Sequence, residues 1–225
     1  MKFFKQTSNY FFLLAVFFLA GVAQSPAGSY NDCIKGSGKL KTENRNILSF
    51  DSIEIDGVFD LVVVCQKKKS LKITGDDNLL KHIITQVKGN KLHIYSNASI
   101  CSKIQLVVEV SIENIKTVNS SGAVDVDVSN LDNNNFSLAI SGSGDIDLQG
   151  KTSDFTAVLS GSSELNAKNL KADKVRIEIN GASDAHVYAS QKLDVEIGGA
   201  GTLFYSGNPV EITQHITGVA ELIRD

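Results

Sequence analysis

The sequence predicts an all-β protein: a right-handed parallel β-helix, a solenoid of about 19–20 residues per coil, preceded by a β-rich capping subdomain with a short helical segment. Three observations carry this prediction. Glycines that follow Ser, Asn, Gly or Thr recur at Gly122, Gly142, Gly161, Gly181, Gly199 and Gly218, spaced by 20, 19, 20, 18 and 19 residues. Apolar and polar residues alternate on both sides of each glycine. The chain holds 2 prolines and no tryptophan, with abundant Gly, Ser, Asn and Asp, a composition of short strands and tight turns.

At the N-terminus, Lys2 and Lys5 precede an apolar run over residues 10–20 and the small triplet Gly21-Val22-Ala23. This is the layout of a secretory signal, with cleavage expected after Ala23. The run is short for a membrane span, and no later segment approaches the ~20 apolar residues that one needs, so no span is expected after cleavage. Gln24 and Ser25 follow the triplet and the first cysteine is Cys33, which argues against a lipid anchor. Cleavage would remove two lysines from a chain of formal charge −3. The resulting acidic surface disfavours nucleic acid.

Residues 24–45 read as a linker. Residues 46–118 read as the β-rich cap and the start of the solenoid. Within them, 52–66 and 71–74 alternate as strands, and Gly75-Asp76-Asp77 opens an amphipathic stretch, Leu79, Leu80, Ile83 and Ile84, expected to form one or two helical turns. Residues 87–95, with Lys88-Gly89-Asn90 between the halves, read as a hairpin. Residues 104–110 and 115–118 lead into the repeats, which occupy 119–225. Cys33, Cys65 and Cys101 match no Cys-x-x-Cys motif. In an oxidising compartment a Cys65–Cys101 disulfide is expected, since both flank predicted strands, with three buried or free thiols as the alternative.

Before the repeat glycines, Phe136, Leu138, Ile140; Phe155, Ala157, Leu159; Val175, Ile177, Ile179; and Leu193, Val195, Ile197 share one side of their strands. The fourth residue after each glycine, Val126, Ile146, Leu165, Ala185, Leu203 and Leu222, points inward with them. One coil holds about five such groups, worth roughly 1.5–3 kcal/mol each, against an ordering cost of about 1–2 kcal/mol per residue. A coil therefore folds only when stacked on its neighbours.

The ordered set Phe59-Asp60-Leu61-Val62-Val63, Gly75-Asp76-Asp77-Asn78-Leu79-Leu80, Lys91-Leu92-His93-Ile94, residues 115–118 and Ser141-Gly142-Ser143-Gly144-Asp145-Ile146 resembles the putative auto-transporter adhesin, head GIN domain family. The resemblance spans residues 46–225 as one head GIN domain. It implies a bacterial envelope or secreted protein of the Bacteroidetes type with a pectin-lyase-like β-helix and an adhesive role. It brings no catalytic residues.

The third residue after each glycine is Asp125, Asp145, Glu164, Asp184, Thr202 and Glu221. Full charges about 4.8 Å apart repel by about 0.9 kcal/mol in water, so these acids need partners. The expectation is that they accept hydrogen bonds from turn N–H groups near the glycine. The competing reading is calcium, with Asp125, Asp127, Asp145, Asp147, Glu164 and Asp184 as candidate oxygen ligands, although Asn166 and His186 interrupt the second ladder. No other cofactor is expected. A third reading is a carbohydrate-active enzyme using the Asp125/Asp145 face, but Lys151, Arg176 and His186 fall at unrelated coil positions. His82, His93, His186 and His215 lack ligand spacing, Lys67-Lys68-Lys69 reads as a solvated loop, and Asn133-Asn134-Asn135 as a turn.

The outward side before the glycines carries Ser137, Ala139, Thr156, Val158, Arg176, Glu178, Asp194 and Glu196. This flat face suits a protein or glycan partner. The edge of the last coil, with Arg224 and Asp225 at its end, is expected either to pair with a second copy or to be blocked by those terminal charges. The function expected is an exported, non-catalytic binding or scaffold protein of the cell envelope acting in adhesion, in the periplasm, at the outer surface or secreted. A carbohydrate-active enzyme and a purely structural envelope component are the alternatives.

Overall fold

The computed structural model describes residues 33–225; the expected signal segment, with cleavage expected after Ala23, lies outside them. In chain order the strands are β1 (Ile34–Lys35), β2 (Leu40–Asn44), β3 (Ser52–Val64), β4 (Ser70–Asp76), β5 (Ile83–Lys88), β6 (Lys91–Ser96), β7 (Ile100–Cys101) and β8 (Val107–Ser111). The repeats follow as β9 (Thr117–Ile140), β10 (Ser143–Leu159), β11 (Ser162–Ile179), β12 (Asp184–Ile197), β13 (Ala200–Gly207), β14 (Glu211–Ile216) and β15 (Val219–Arg224). A straight strand as long as β9 would run ~80 Å. It bends instead at Gly122 and Asn130, both in the left-handed region.

Thirteen strands form one mixed sheet in the order β15-β13-β12-β11-β10-β9-β3-β8-β4-β2, with β14 beside β12, β6 beside β3 and β5 beside β6. This corrects the expected right-handed parallel β-helix behind a separate cap. Neighbours from β3 through β15 pair in parallel, but β2–β4, β4–β8 and β5–β6 are antiparallel. The N-terminal half is not a cap. Its β3 pairs with β9 residue for residue, from Ser52 opposite Thr117 to Val64 opposite Ser129. The alternating pattern of β3 matches that of β9, so the same buried face runs across both.

Two smaller expectations change too. The supposed linker carries β1 and β2, the latter paired with β4. The expected helical turns reduce to one 3₁₀ turn, Leu80–His82. Leu79, Leu80 and Ile83 are fully buried there and close over the core instead of lining a helix. The hairpin forms, β5 pairing β6 around Gly89.

The core is a single cluster from Phe50 to Leu203, and like stacks on like within it. Phe136 lies on Phe155 with ring centroids 6.0 Å apart, and Phe155 pairs with Val175. Ile140, Leu159, Ile179 and Ile197 form another buried column. At the corner beside it the repeat glycines stack on one another, and Gly57 heads the column opposite Gly122. A Cβ on Gly142, Gly161, Gly181, Gly199 or Gly218 would strike the carbonyl oxygen of the preceding glycine. Close backbone approach, not an unusual φ, excludes a side chain at these five positions.

The disulfide joins Cys33 to Cys101, with Cα atoms 5.6 Å apart, not Cys65 to Cys101. The β1–β7 pairing sets Lys35 opposite Cys101 and brings Cys33 alongside. Cys65 is fully buried at the end of β3, and burial pushes its thiol up to about 11. Next to this strap, the buried Asp76 carboxylate accepts hydrogen bonds from Ser102 Oγ at 2.7 Å and from the N–H groups of Gly38, Lys103 and Ile104 at 2.6, 2.9 and 3.1 Å. These bonds, that of Ser102 foremost, hold its carboxyl at about 2. Asp76 thereby fastens the chain before β2 to the chain before β8.

Candidate functional site

Parallel register converts the sequence period into columns of side chains on the sheet surface. The face predicted from the strands before each glycine is assembled as one surface. Ser137, Thr156, Arg176 and Asp194 lie in one column, and Ala139, Val158, Glu178 and Glu196 in the next. Its two ends differ. Toward β12, Arg176 reaches Asp194 and Glu196 at 3.6 Å each, so the charges are paired among themselves. Toward β3 the surface dips into a mostly uncharged depression of about 250 Å³ lined by Asn119, Ser121, Ala139, Ser141, Val158 and Ser160 together with Glu54, whose carboxylate pairs with Lys91 at 2.7 Å. Ser121 Oγ donates to Asp56 at 2.8 Å and Ser141 Oγ to the Ser120 carbonyl at 3.3 Å, which orients both hydroxyls. Methyl groups on the floor and hydroxyl or amide groups at each strand step suit a long ligand whose polar groups repeat.

The acids of the calcium reading occupy the surface beyond the glycine corner. The structure strings them along the strands: Asp145 is opposite Glu164, Glu164 opposite Asp184, and Asp127 opposite Asp147. Asp125 Oδ1 accepts the Asp145 N–H at 2.9 Å, and Asp184 Oδ1 accepts the Thr202 N–H at 2.7 Å. These carboxylates bond to the next strand and not, as expected, to their own turn. Asp147 Oδ1 accepts from Asn166 Nδ2 at 2.6 Å, so the residue that interrupts the ladder serves as a partner. Among the described residues no three His, Cys, Asp or Glu side chains converge to hold a metal ion. Burial, and then the neighbouring Asp147 charge, raises the Asp127 carboxyl above its ordinary range.

The enzyme reading needs Lys151, Arg176 or His186 beside the Asp125/Asp145 pair. Each is engaged elsewhere: Lys151 with Asp132 at 3.1 Å, Arg176 as above, and His186 stacked on Phe204 with centroids 4.5 Å apart. Lys67, Lys68 and Lys69 are exposed after β3. Asn133 is no simple turn residue: it donates to the Ile115 carbonyl at 2.7 Å and accepts from Thr152 Oγ1 at 2.7 Å, tying neighbouring strands. Sequence reasoning missed a groove of about 400 Å³ between Gly57, Val58 and Phe59 of β3 and the 96–106 segment, which holds Cys101. Its one legible signal is Val58, an apolar residue at an outward position and 70% exposed.

The described residues thus form a stacked β-sheet with a broad patterned surface, its charges toward β12 paired among themselves. The chain belongs to the family described as putative auto-transporter adhesin, head GIN domain, which matches residues 49–209. Among solved structures, a putative adhesin from Bacteroides fragilis is 21% identical with a TM-score of 0.70, covering 85% of this chain and 100% of that one. A putative lipid binding protein from Parabacteroides distasonis is 24% identical with a TM-score of 0.52, covering 85% and 99%. A putative adhesin from Parabacteroides merdae is 19% identical with a TM-score of 0.50, covering 86% and 99%. At these identities the likeness is one of fold. No curated protein matches the chain. Among the described residues no helix is long and apolar enough to cross a membrane.

Proposed function

We propose that this is an exported, non-catalytic binding protein of the cell envelope that holds an extended glycan on the face built by β3, β9 and β10. The observation that carries this reading is the depression of about 250 Å³, where Asn119, Ser121, Ser141 and Ser160 present polar groups strand by strand and the one lining acid, Glu54, is paired with Lys91. Membership in an adhesin family supports a surface role, at the cell exterior or within the envelope. The rigid stack beneath supports it as well, because a pre-formed face does not spend ordering entropy on binding.

The test is binding of the purified protein to an array of bacterial and host polysaccharides, with Ser160→Arg as the variant. Ser160 is exposed, so arginine there fills the depression without touching the core. The expected result is a bound glycan class whose Kd rises at least tenfold in the variant while thermal stability is unchanged. Equal binding by both proteins, or binding to no glycan at all, overturns the reading.

A further inference from the structure

The depression on the proposed glycan face crosses the strands instead of following one of them: β3, two passes of β9, and β10 each contribute to it. The Ser137 N–H bonds the Lys116 carbonyl at 2.8 Å and the Ser141 N–H the Ser120 carbonyl at 3.0 Å, which sets Ser137 beside Thr117 and Ser141 beside Ser121. β10 then places Thr156 beside Ser137 and Val158 beside Ala139. The Ser160 N–H, bonded to the Ile140 carbonyl at 2.8 Å, puts Ser160 beside Ser141. Three columns result. Thr117, Ser137 and Thr156 form one rail of hydroxyls, and Ser121, Ser141 and Ser160 form the other. Asn119, Ala139 and Val158 lie between them. Steps within a column are ~4.8 Å, and the rails, four residues apart along each strand, stand ~13 Å apart. A chain of sugar rings fits this channel with its axis across the strands, its C–H groups on Ala139 and Val158 and its hydroxyls toward the rails.

None of these outward side chains is charged, and the charges that border them are negative or already paired. On the β3 side Glu54 pairs with Lys91 at 2.7 Å, and Asp56 accepts from Ser121. On the β11 side Glu178, next to Val158, accepts from Asn180 Nδ2 at 2.7 Å, while Arg176, next to Thr156, is shared between Asp194 and Glu196. Where the strands enter the face, Lys116 is held by Asp51 at 2.8 Å and Lys174 by Asp154 at 3.7 Å. These acids outnumber the cations, and each cation has a carboxylate partner. An acidic group on a bound sugar therefore meets like charge with no free cation to answer it, which is how interfaces reject a wrong partner. A neutral sugar meets no such barrier.

Building on the glycan reading above, we infer that the ligand is a neutral glycan, without carboxylate, sulfate or phosphate groups, lying across the strands between the two hydroxyl rails. The test is titration calorimetry with cellulose, amylose and mannan oligosaccharides and any further glycan retained on the array, each beside the same chain with its primary hydroxyls oxidised to carboxylates. The oxidised member of each binding pair is expected to have a Kd higher by about tenfold or more. Glu178→Gln removes the charge beside Val158 and should narrow that gap by about threefold or more, with binding of the neutral chain kept within about threefold of wild type. Glutamine can still accept from Asn180, and unchanged thermal unfolding verifies that the variant folds. An oxidised chain that binds as tightly as its neutral parent and competes with it, or a gap that Glu178→Gln leaves unchanged, overturns the inference and leaves the glycan reading standing. Binding of no glycan overturns both.

Discussion

Gly198 and Gly199 are adjacent in sequence, and the structure predicts opposite outcomes for replacing them with alanine. A methyl group on Gly199 would drive into the carbonyl oxygen of Gly181, which accepts the Ala200 N–H at 2.9 Å. Relief requires the neighbouring chain to retreat by ~1 Å, and a hydrogen bond of that length stretched so far is no longer one. The bonds from Gly199 N–H to Ile179 and from Val219 N–H to the Gly199 carbonyl share the corner and move with it. Two or three bonds at about 0.5–1.5 kcal/mol, plus a buried carbonyl left without a donor at about 1–3 kcal/mol, give a loss of about 2–7 kcal/mol, centred on ~4 kcal/mol. In a chain of this size that lowers Tm by roughly 10 °C. A methyl on Gly198 meets Asn180 Oδ1 at 3.5 Å and Thr217 Oγ1 at 3.9 Å, ordinary contacts, and its φ is not in the left-handed region. Gly198→Ala should therefore be neutral or stabilising by up to about 1 kcal/mol through the unfolded chain. Urea and thermal unfolding of the two variants measure the contrast. Equal stability of the pair, in either direction, refutes the claim that backbone approach dictates the glycine column.

Two further outcomes concern the strap. The Cys33–Cys101 bridge spans 68 residues, and opening a loop of that length costs at most about 4 kcal/mol in the chain-entropy account. Cys33→Ser should lower stability toward that bound, and mass spectrometry after alkylation should label Cys65 only once the protein is unfolded, since its thiol is buried and held near 11. Asp76 has a folded pKa of about 2, below its unfolded value near ~3.9, so its contribution is complete above about 4 and is lost as pH falls toward 2. Asp76→Asn should destabilise at neutral pH and flatten the dependence of Tm on pH between 4 and 2; an unchanged acid limb would show that Asp76 is not the group that titrates.

The inward residues were legible because period two along a strand and a constant period along the chain both survive in the fold. All twelve residues from Phe136 to Ile197 assigned to the core before the glycines are buried. Strand direction in the N-terminal half was not legible. The antiparallel contact of β4 with β8 joins Ser70 to Ser111 across an inserted hairpin, and no local pattern encodes it. The same insertion hid Gly57, which belongs to the glycine column but precedes Gly122 by the whole β4–β8 segment. The disulfide partner depended on the two-residue strand β1, too short to show a period. The proposed binding face was legible as a set of outward residues. Its depression was not, because it arises from the relative size of neighbours on three strands.

The columns explain why such a surface can carry recognition. Along the buried register, Val126, Ile146, Leu165, Ala185 and Leu203 differ in size but never in polarity. One residue before, the outward column runs from Asp145 through Glu164 and Asp184, and two residues after Val126 the chain is buried again at Val128. The outward column one residue on reads Asp127, Asp147, Asn166, His186 and Phe204, from charge to aromatic ring within a few strands. Stability resides in the inward column and the backbone ladder, so an outward side chain can change its chemistry at a cost near the ±0.5 kcal/mol typical of surface positions. The exceptions are outward groups that bond to the next strand, Asp125 and Asp184 among them. A surface divided in this way keeps some acids for architecture and leaves Asn119 and Ser160 free to vary, as the proposed glycan face requires.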